Sequence, residues 1–365
     1  MELSESNPTR VGLGAIDLSC LCDEGIRLYE PDPHGLLRSR EALAADYASS
    51  FGSFAPRPDR LFLCASTSEA YGWLFKLLCD PGDCVLVPKP GYPLFDYLAG
   101  LEAIEPRPYR LEYLHPAGWR IDLDSVGSAM ERGRVRALVL INPNNPTGSY
   151  VRPEERSALL GLCARFGCSL IVDEVFFGFP VEGGGGSSFI GEASVPCFVL
   201  DGLSKRLGLP QMKLGWIAAS GPERELAEAA ARLEILADAY LSAGTPVQNA
   251  LGRLLDQAEL FAGPCRERLA SNLLALRSAL EGPCSPHRVL RCEGGWTAIV
   301  ESPRLASEEE LAFGLLKEEG MASQPGYFFD MEREAFFTFG LILRPEDLER
   351  GVRAYAAYFE RLLEV

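Results

Sequence analysis

Three side chains stand where apolar runs give way to polar turns. Lys205 lies in Gly202-Leu203-Ser204-Lys205, shortly after Pro196 to Leu200. Asp173 closes Ile171-Val172-Asp173-Glu174, and Asn145 lies in Asn142-Pro143-Asn144-Asn145-Pro146-Thr147-Gly148. An amine, a carboxylate and a carboxamide at such strand ends would hold one flat, phosphorylated aromatic aldehyde at three points, with the lysine as its covalent anchor. Ser66-Thr67-Ser68 precedes a helical stretch, where hydroxyls and helix N-terminal amides make a phosphate cradle. Each residue also has a plainer reading: a solvated lysine, a capping aspartate, a turn asparagine, a simple N-cap. The order of the set along the chain is what favours chemistry.

Such a set needs a scaffold of strands ending on one side. Arg60 to Cys64 reads as a buried strand, Ser66 to Cys79 as a helix, Asp80-Pro81-Gly82-Asp83 as a turn and Cys84 to Pro88 as the next strand, a βαβ unit. The rhythm continues with strands at Val135 to Ile141, Ser169 to Val172, Pro196 to Leu200 and Leu214 to Ala219. Helices are predicted over Leu36 to Ser50, Glu154 to Phe166, Glu223 to Ile235 and Val247 to Leu255, and Gly183 to Gly186 reads as a loop. The expected fold class is α/β: a mostly parallel central sheet flanked by helices, with polar residues just beyond the strand carboxyl ends, where open α/β sheets bind ligands. The rest reads as a smaller α+β domain: helix Cys265 to Leu280, strand Trp296 to Val300, helix Ser307 to Glu318, strand Phe336 to Leu343 and helix Pro345 to Leu363. In that last helix Pro345 suits the first turn, and Leu348, Val352, Tyr355 and Phe359 recur at helical spacing. The predicted division is 1–50 as a segment contributing to the small domain and covering the site, 51–258 as the large domain and 259–365 as the small one.

A chain of 365 residues that is 47% hydrophobic buries a large core. Its 35 Lys and Arg against 51 Asp and Glu give a formal charge of -16, which repels nucleic acid and anionic membranes. No apolar stretch reaches the ~18 residues of a spanning helix, and the polar, acidic start lacks signal-peptide features. Eleven cysteines in so long a chain read as reduced structural thiols. The three histidines, His34, His115 and His287, fall in no metal-ligand spacing. The expectation is a cytoplasmic protein without a metal.

From Tyr29 to the C-terminal helix the chain resembles the class I/II aminotransferases, fold-type I enzymes dependent on pyridoxal 5'-phosphate. Ser66-Thr67-Ser68-Glu69-Ala70, Pro88-Lys89-Pro90-Gly91-Tyr92, Asn142 to Gly148, Asp173-Glu174-Val175-Phe176 and Ser204-Lys205 carry the resemblance, in family order. The resemblance implies that Lys205 is the Schiff-base lysine, Asp173 the partner of the pyridine nitrogen, and Asn145 the donor to the phenolic oxygen. It further implies that the Thr67 side chain, the backbone amides of Ser68 and Glu69, and Ser204 bind the phosphate and that Tyr92 stacks on the ring. Lys213 takes the place of a phosphate-clamping arginine, keeping the charge and losing the planar fork. Tyr29 resembles a tyrosine lent across a homodimer to the neighbouring cofactor, so shared sites are expected.

Two departures stand out. Phe176 occupies a position that often holds a tyrosine, and phenylalanine cannot donate to the phenolic oxygen. In Ala335-Phe336-Phe337-Thr338-Phe339-Gly340-Leu341, Phe337 falls where family members carry the arginine that forks onto the substrate carboxylate. Three readings stay open: Arg10 supplies the charge from the N-terminal segment; backbone amides and Asn7 meet the carboxylate with Arg344 reaching in; or the substrate has no carboxylate beside its amine. Trp296 and Tyr327-Phe328-Phe329, with Trp73, Phe95 and Tyr97, suggest an apolar pocket tolerant of aromatic groups. The expected reaction is transfer of an amino group from an amino acid or related amine to a 2-oxo acid. The alternatives are β/γ-elimination or cyclisation on the same fold, or an inactive regulatory relative.

Overall fold

The computed structural model describes residues 1–14 and 16–364. An eight-stranded sheet dominates it. Its strands are β1 (Leu61–Cys64), β2 (Cys84–Lys89), β3 (Glu105–Leu114), β4 (Gly118–Ile121), β5 (Val135–Ile141), β6 (Ser169–Asp173), β7 (Cys197–Gly202) and β8 (Gly215–Ser220), in the spatial order β1-β8-β7-β6-β5-β2-β3-β4. The run from β3 to β7 is parallel, and β8 and β4 enter antiparallel. Helices α1 (Leu37–Phe51), α2 (Thr67–Leu78), α3 (Phe95–Leu101), α4 (Leu123–Glu131), α5 (Pro153–Phe166), α6 (Leu203–Arg206), α7 (Glu223–Tyr240) and α8 (Thr245–Leu255) belong to this part.

Strand alternation explains the layering. Leu61, Leu63, Leu138, Leu140, Leu170 and Val172 point into one buried cluster, and Phe62, Cys64, Ala137, Val139 and Ile171 into another. Central strands buried on both faces read as continuous apolar runs, which is why β1, β2 and β5 to β8 are visible in the sequence. Strand β3 is not visible there, because Pro106 and Pro108 interrupt it. Strand β4 pairs only with Leu111 to Leu114, so the prolines fall on an open edge where a missing N–H breaks no ladder.

The second layer holds a three-stranded antiparallel sheet: β9 (Arg288–Val289), β10 (Thr297–Glu301) and β11 (Phe336–Gly340), with β10 in the middle. It packs with α9 (Ala258–Leu280) and α11 (Pro345–Leu363), while α10 (Glu308–Glu319) lies against α11. Helix α9 starts ahead of the Cys265 expected from sequence and crosses Pro264. Leu260, whose carbonyl that proline leaves without an intrahelical partner, is exposed, so water can satisfy it. Residues 1–50 divide between the layers. Leu3 is fully buried in the small-sheet core; its N–H donates to the Ala322 carbonyl at 2.7 Å and its carbonyl accepts from Gly340 N–H at 2.7 Å. Helix α1 instead packs on α8 and sends Leu43 and Tyr47 into the large-sheet core.

Candidate active site

The carboxyl ends of β6 and β7 deliver the central pair. Asp173 is the last residue of β6, and β7 runs through Gly202 into α6, a single turn that carries Lys205. Arg206 fastens that turn: its partly buried guanidinium lies between Asp46 of α1 and Asp201 of β7, at 3.3 Å from the latter. Lys205 points into the cavity, its Nζ 5.1 Å from the Trp296 ring centre and 5.5 Å from that of Phe176.

Burial drives both groups toward neutrality. It lowers the Lys205 pKa, with the nearby Asp173 charge acting against it. It raises Asp173 to about 6, opposed by hydrogen bonds from Val175 N–H (3.1 Å) and the Tyr71 hydroxyl (3.2 Å) and by the Lys205 charge. A neutral amine is the form that attacks an aldehyde.

The cavity has a volume of about 440 Å³. Thr67, Ser68, Tyr92, Asn145, Asp173, Phe176, Ser204, Lys205, Lys213 and Trp296 all line it, gathered from segments spread over most of the chain. Thr67 and Ser68 begin α2, where the capping is done by the Ser66 hydroxyl, which accepts from Glu69 N–H at 3.2 Å. Lys213 has a positive φ of 50°, directly after the short turn Pro210–Met212. Tyr92 is 43% exposed and forms an outer wall, edge-on to Phe95.

The floor of the cavity has no side chains at one rung. Gly202 and Gly215 face each other in the β7–β8 register, and a Cβ on Gly215 would lie 3.2 Å from Thr67 N. Hydroxyls of Thr67, Ser68 and Ser204, the Lys213 ammonium, the buried Asp173 carboxylate and the partly buried Lys205 amine line the cavity with this notch. That donor set suits pyridoxal phosphate: anionic phosphate at the helix start, a protonatable ring nitrogen at Asp173 and an aldehyde at Lys205.

Other expected residues lie outside the cavity. The Glu69 side chain accepts from Ala65 N–H (2.7 Å) and Ser242 Oγ (2.6 Å). Tyr29 is 72% exposed and lines a separate shallow cleft. Asn7 caps a short turn by accepting from Thr9 N–H, and Arg10 is 73% exposed beside Glu5. Arg344 is exposed ahead of α11. Tyr327 is half exposed, and its neighbours Phe328 and Phe329 take the wall instead. Phe337 is fully buried and packs edge-on to Tyr355 and Phe359: alternation along β11 turns it into the helix-covered face of the small sheet, away from the cavity. Trp73 packs against Tyr240, and Tyr97 is exposed.

Tyr71, Ser4, Ser6, Gln324 and Thr297 line the cavity without having been assigned from sequence. Tyr71 looks like an ordinary core position of an apolar helix. The one available signal for Ser4 and Ser6 was the expectation that the N-terminal segment covers the site.

A model of the family described as aminotransferase class I and II matches residues 20–354. Nicotianamine aminotransferase 1 of Oryza sativa subsp. japonica is 28% identical across 84% of this chain; the match spans 63% of the rice protein. An alanine aminotransferase structure from Pyrococcus furiosus superposes with a TM-score of 0.87 over 99% of this chain and 92% of that one, at 24% identity. A tyrosine aminotransferase from Leishmania infantum gives 0.89 over 99% and 91%, at 21% identity. The superpositions establish the fold, and the family's members depend on pyridoxal phosphate. Matched over nearly its whole length, the chain belongs to the class I and II aminotransferases.

Proposed function

We propose that this chain is a pyridoxal-phosphate-dependent aminotransferase that moves an amino group from an amino acid or related amine to a 2-oxo acid. The observation that carries the reading is the partly buried Lys205 amine, with its lowered pKa, and the buried Asp173 carboxylate lining one cavity.

Thr67, Ser68, Ser204 and Lys213 would hold the phosphate, Asp173 the ring nitrogen, Asn145 the phenolic oxygen and Tyr92 the ring face. Phe176 brings no donor, so Asn145 serves the phenolic oxygen alone. When bound, the cofactor supplies an aldehyde and an electron-withdrawing ring that accepts the electron pair released at the donor Cα. Lys205 Nζ, once free, would be the base that takes the donor Cα proton and the acid that delivers it to the former aldehyde carbon. Trp296, Phe176, Phe328 and Phe329 exclude water from that transfer.

The cavity chemistry also bears on the substrate. Among the described residues, the cations lining it are Lys205 and Lys213, with no arginine. Both are engaged by the cofactor in this reading. The substrate therefore meets aromatic walls and the neutral groups of Ser4, Ser6, Thr297 and Gln324. A buried carboxylate without a partner is costly; the α-carboxylate of any amino acid donor meets that cost once and a dicarboxylate meets it twice, so donors with apolar or aromatic side groups are favoured over dicarboxylates. Arg10 and Arg344 stand outside the cavity and leave this balance unchanged. We further assign cofactor binding to residues 51–258 and the covering layer to 259–365, with Tyr29 lent across a homodimer in the cytoplasm.

Borohydride treatment of protein saturated with pyridoxal phosphate, followed by digestion and mass analysis, tests the reading. The pyridoxyl adduct is expected on the peptide containing Lys205, and Lys205→Ala should abolish 2-oxo product formation. An unmodified Lys205 peptide from saturated protein would overturn it.

A further inference from the structure

The Asp173 carboxylate has two oxygens with different surroundings. Oδ1 accepts from Val175 N–H at 3.1 Å, a local turn contact supplied by its own loop. Oδ2 accepts from the Tyr71 hydroxyl at 3.2 Å, a contact that arrives from α2 across the sheet. Tyr71 is 3% exposed and its ring is fixed on two sides: edge-on to Phe95 at 5.3 Å and tilted against Phe75 at 5.9 Å. The phenol is thus a fixed donor aimed at a buried acceptor, and it also lines the cavity.

We propose that Tyr71 is a positioning residue for Asp173: its hydroxyl orients the carboxylate and keeps it charged for the cofactor's ring nitrogen. The inference rests on the cofactor reading given above. A carboxylate taken from water into this interior is disfavoured unless hydrogen bonds or charges compensate it. The groups bearing on Asp173 can be named. Lys205 of α6 favours its charged form, and Val175 N–H and Tyr71 do so by hydrogen bonding. Asp201, on the adjacent β7, repels it and is itself paired with Arg206. Tyr92 lies close enough to feel its charge. Tyr71 is the donor among these that comes from the phosphate-binding helix. Tyr71, which holds the carboxylate at the ring end of the site, and the Thr67 and Ser68 hydroxyls placed for the phosphate end therefore ride on one element, α2.

Tyrosine at this place also explains the packing around it. The ring fills the space between Phe75 and Phe95, so phenylalanine fits with the loss of one oxygen. That makes Tyr71→Phe a clean deletion of the donor. Removing the donor raises the Asp173 pKa, so the carboxylate becomes charged only at higher pH.

The test is cofactor binding by the apoenzyme of the wild type, Tyr71→Phe and Phe95→Leu, measured by absorbance and fluorescence titration between pH 5 and 8, with thermal melts of each apoenzyme. Tyr71→Phe is expected to weaken pyridoxal-phosphate binding roughly tenfold at neutral pH, the loss of one hydrogen bond to a charged group. It should also move the midpoint of the pH dependence of binding upward relative to wild type, with its melt little changed. Phe95→Leu, which keeps the Tyr71 donor and its Phe75 contact, should lower the melting temperature and move that midpoint less than Tyr71→Phe does. Equal affinity and an equal midpoint for Tyr71→Phe and wild type would overturn the inference, as would a Phe95→Leu midpoint that moves as far. Failure of the wild type itself to bind the cofactor at Lys205 would instead refute the functional reading, and this inference with it.

Discussion

Beside Asp173 lies a second buried carboxylate that the chemistry does not use. Glu174 accepts from Ser188 Oγ (2.5 Å), Phe189 N–H (2.9 Å) and Asn142 Nδ2 (3.2 Å), and burial nevertheless pushes its pKa up to about 7. In the unfolded chain it titrates near 4.5. The native state therefore binds the proton more tightly, and this contribution to stability is fully present below 4.5 and lost as pH rises through 7. Glu174→Gln removes the titration and keeps an acceptor oxygen. Its stability relative to wild type should improve by about 2 kcal/mol between pH 5 and pH 8, read from urea unfolding of the apoenzyme at both pH values. A difference between the two proteins that does not change with pH would contradict this. At this scale the sequence was most readable where a side chain's chemistry and its place at a strand end coincide, as at Lys205, Asp173 and Asn145. It was least readable where the charge of a residue is visible and its direction is not. Arg10 and Arg344 looked like carboxylate partners, yet one sits by Glu5 and the other ahead of α11. Tyr71 was hidden for the opposite reason, since a phenol inside an apolar helix looks like packing until its partner is located.

At the level of elements, the N-terminal segment works as a strap. Leu3 is pinned to Ala322 and Gly340 by backbone hydrogen bonds, and Ser4 Oγ accepts from Gln324 N–H at 3.1 Å, which brings Ser4 and Ser6 to the cavity rim. Gly340 permits the crossing, because a Cβ there would overlap the Glu5 carbonyl oxygen. Gly340→Ala should push the strap off its seat at a cost of about 1–3 kcal/mol. Melting temperature and steady-state kinetics would show it: KM for the amino donor rises while cofactor affinity stays at the wild-type level. Unaltered KM would mean that the strap does not touch substrate. Strand and helix periodicity made the central sheet legible, and the helices expected from Ser66 and Glu154 start one residue away, at Thr67 and Pro153. The strap has no such period, and its place depends on contacts with residues some 320 positions away. The edge pair β3 and β4 was lost to proline, and α3 to its brevity.

For the whole molecule, the acidic composition and the cavity of about 440 Å³ fit a protein that handles small ligands. Leu28 and Tyr29 are 60% and 72% exposed, and Tyr97 and Leu101 are 73% and 80% exposed. Exposed apolar side chains of this size suit a contact with a second copy. Sedimentation should give twice the chain mass, and Tyr29→Phe should weaken cofactor binding in the dimer. A monomer that binds pyridoxal phosphate with full affinity would remove Tyr29 from the site. The two sheets and the run of parallel strands were foreseeable from pattern. The division of residues 1–50 between the two layers was not, because the apolar pattern of α1 is weak and does not say which core it meets. That docking has a further meaning for Arg206, whose partners Asp46 and Asp201 reach it from opposite parts of the chain, the first 160 positions away. The pivot on which the Lys205 amine turns is complete only after the early helix and the late strand have met. Chemical competence should thus be among the last properties regained on refolding, and a protein whose sheet has formed around an undocked α1 would be native in outline and blind to its aldehyde.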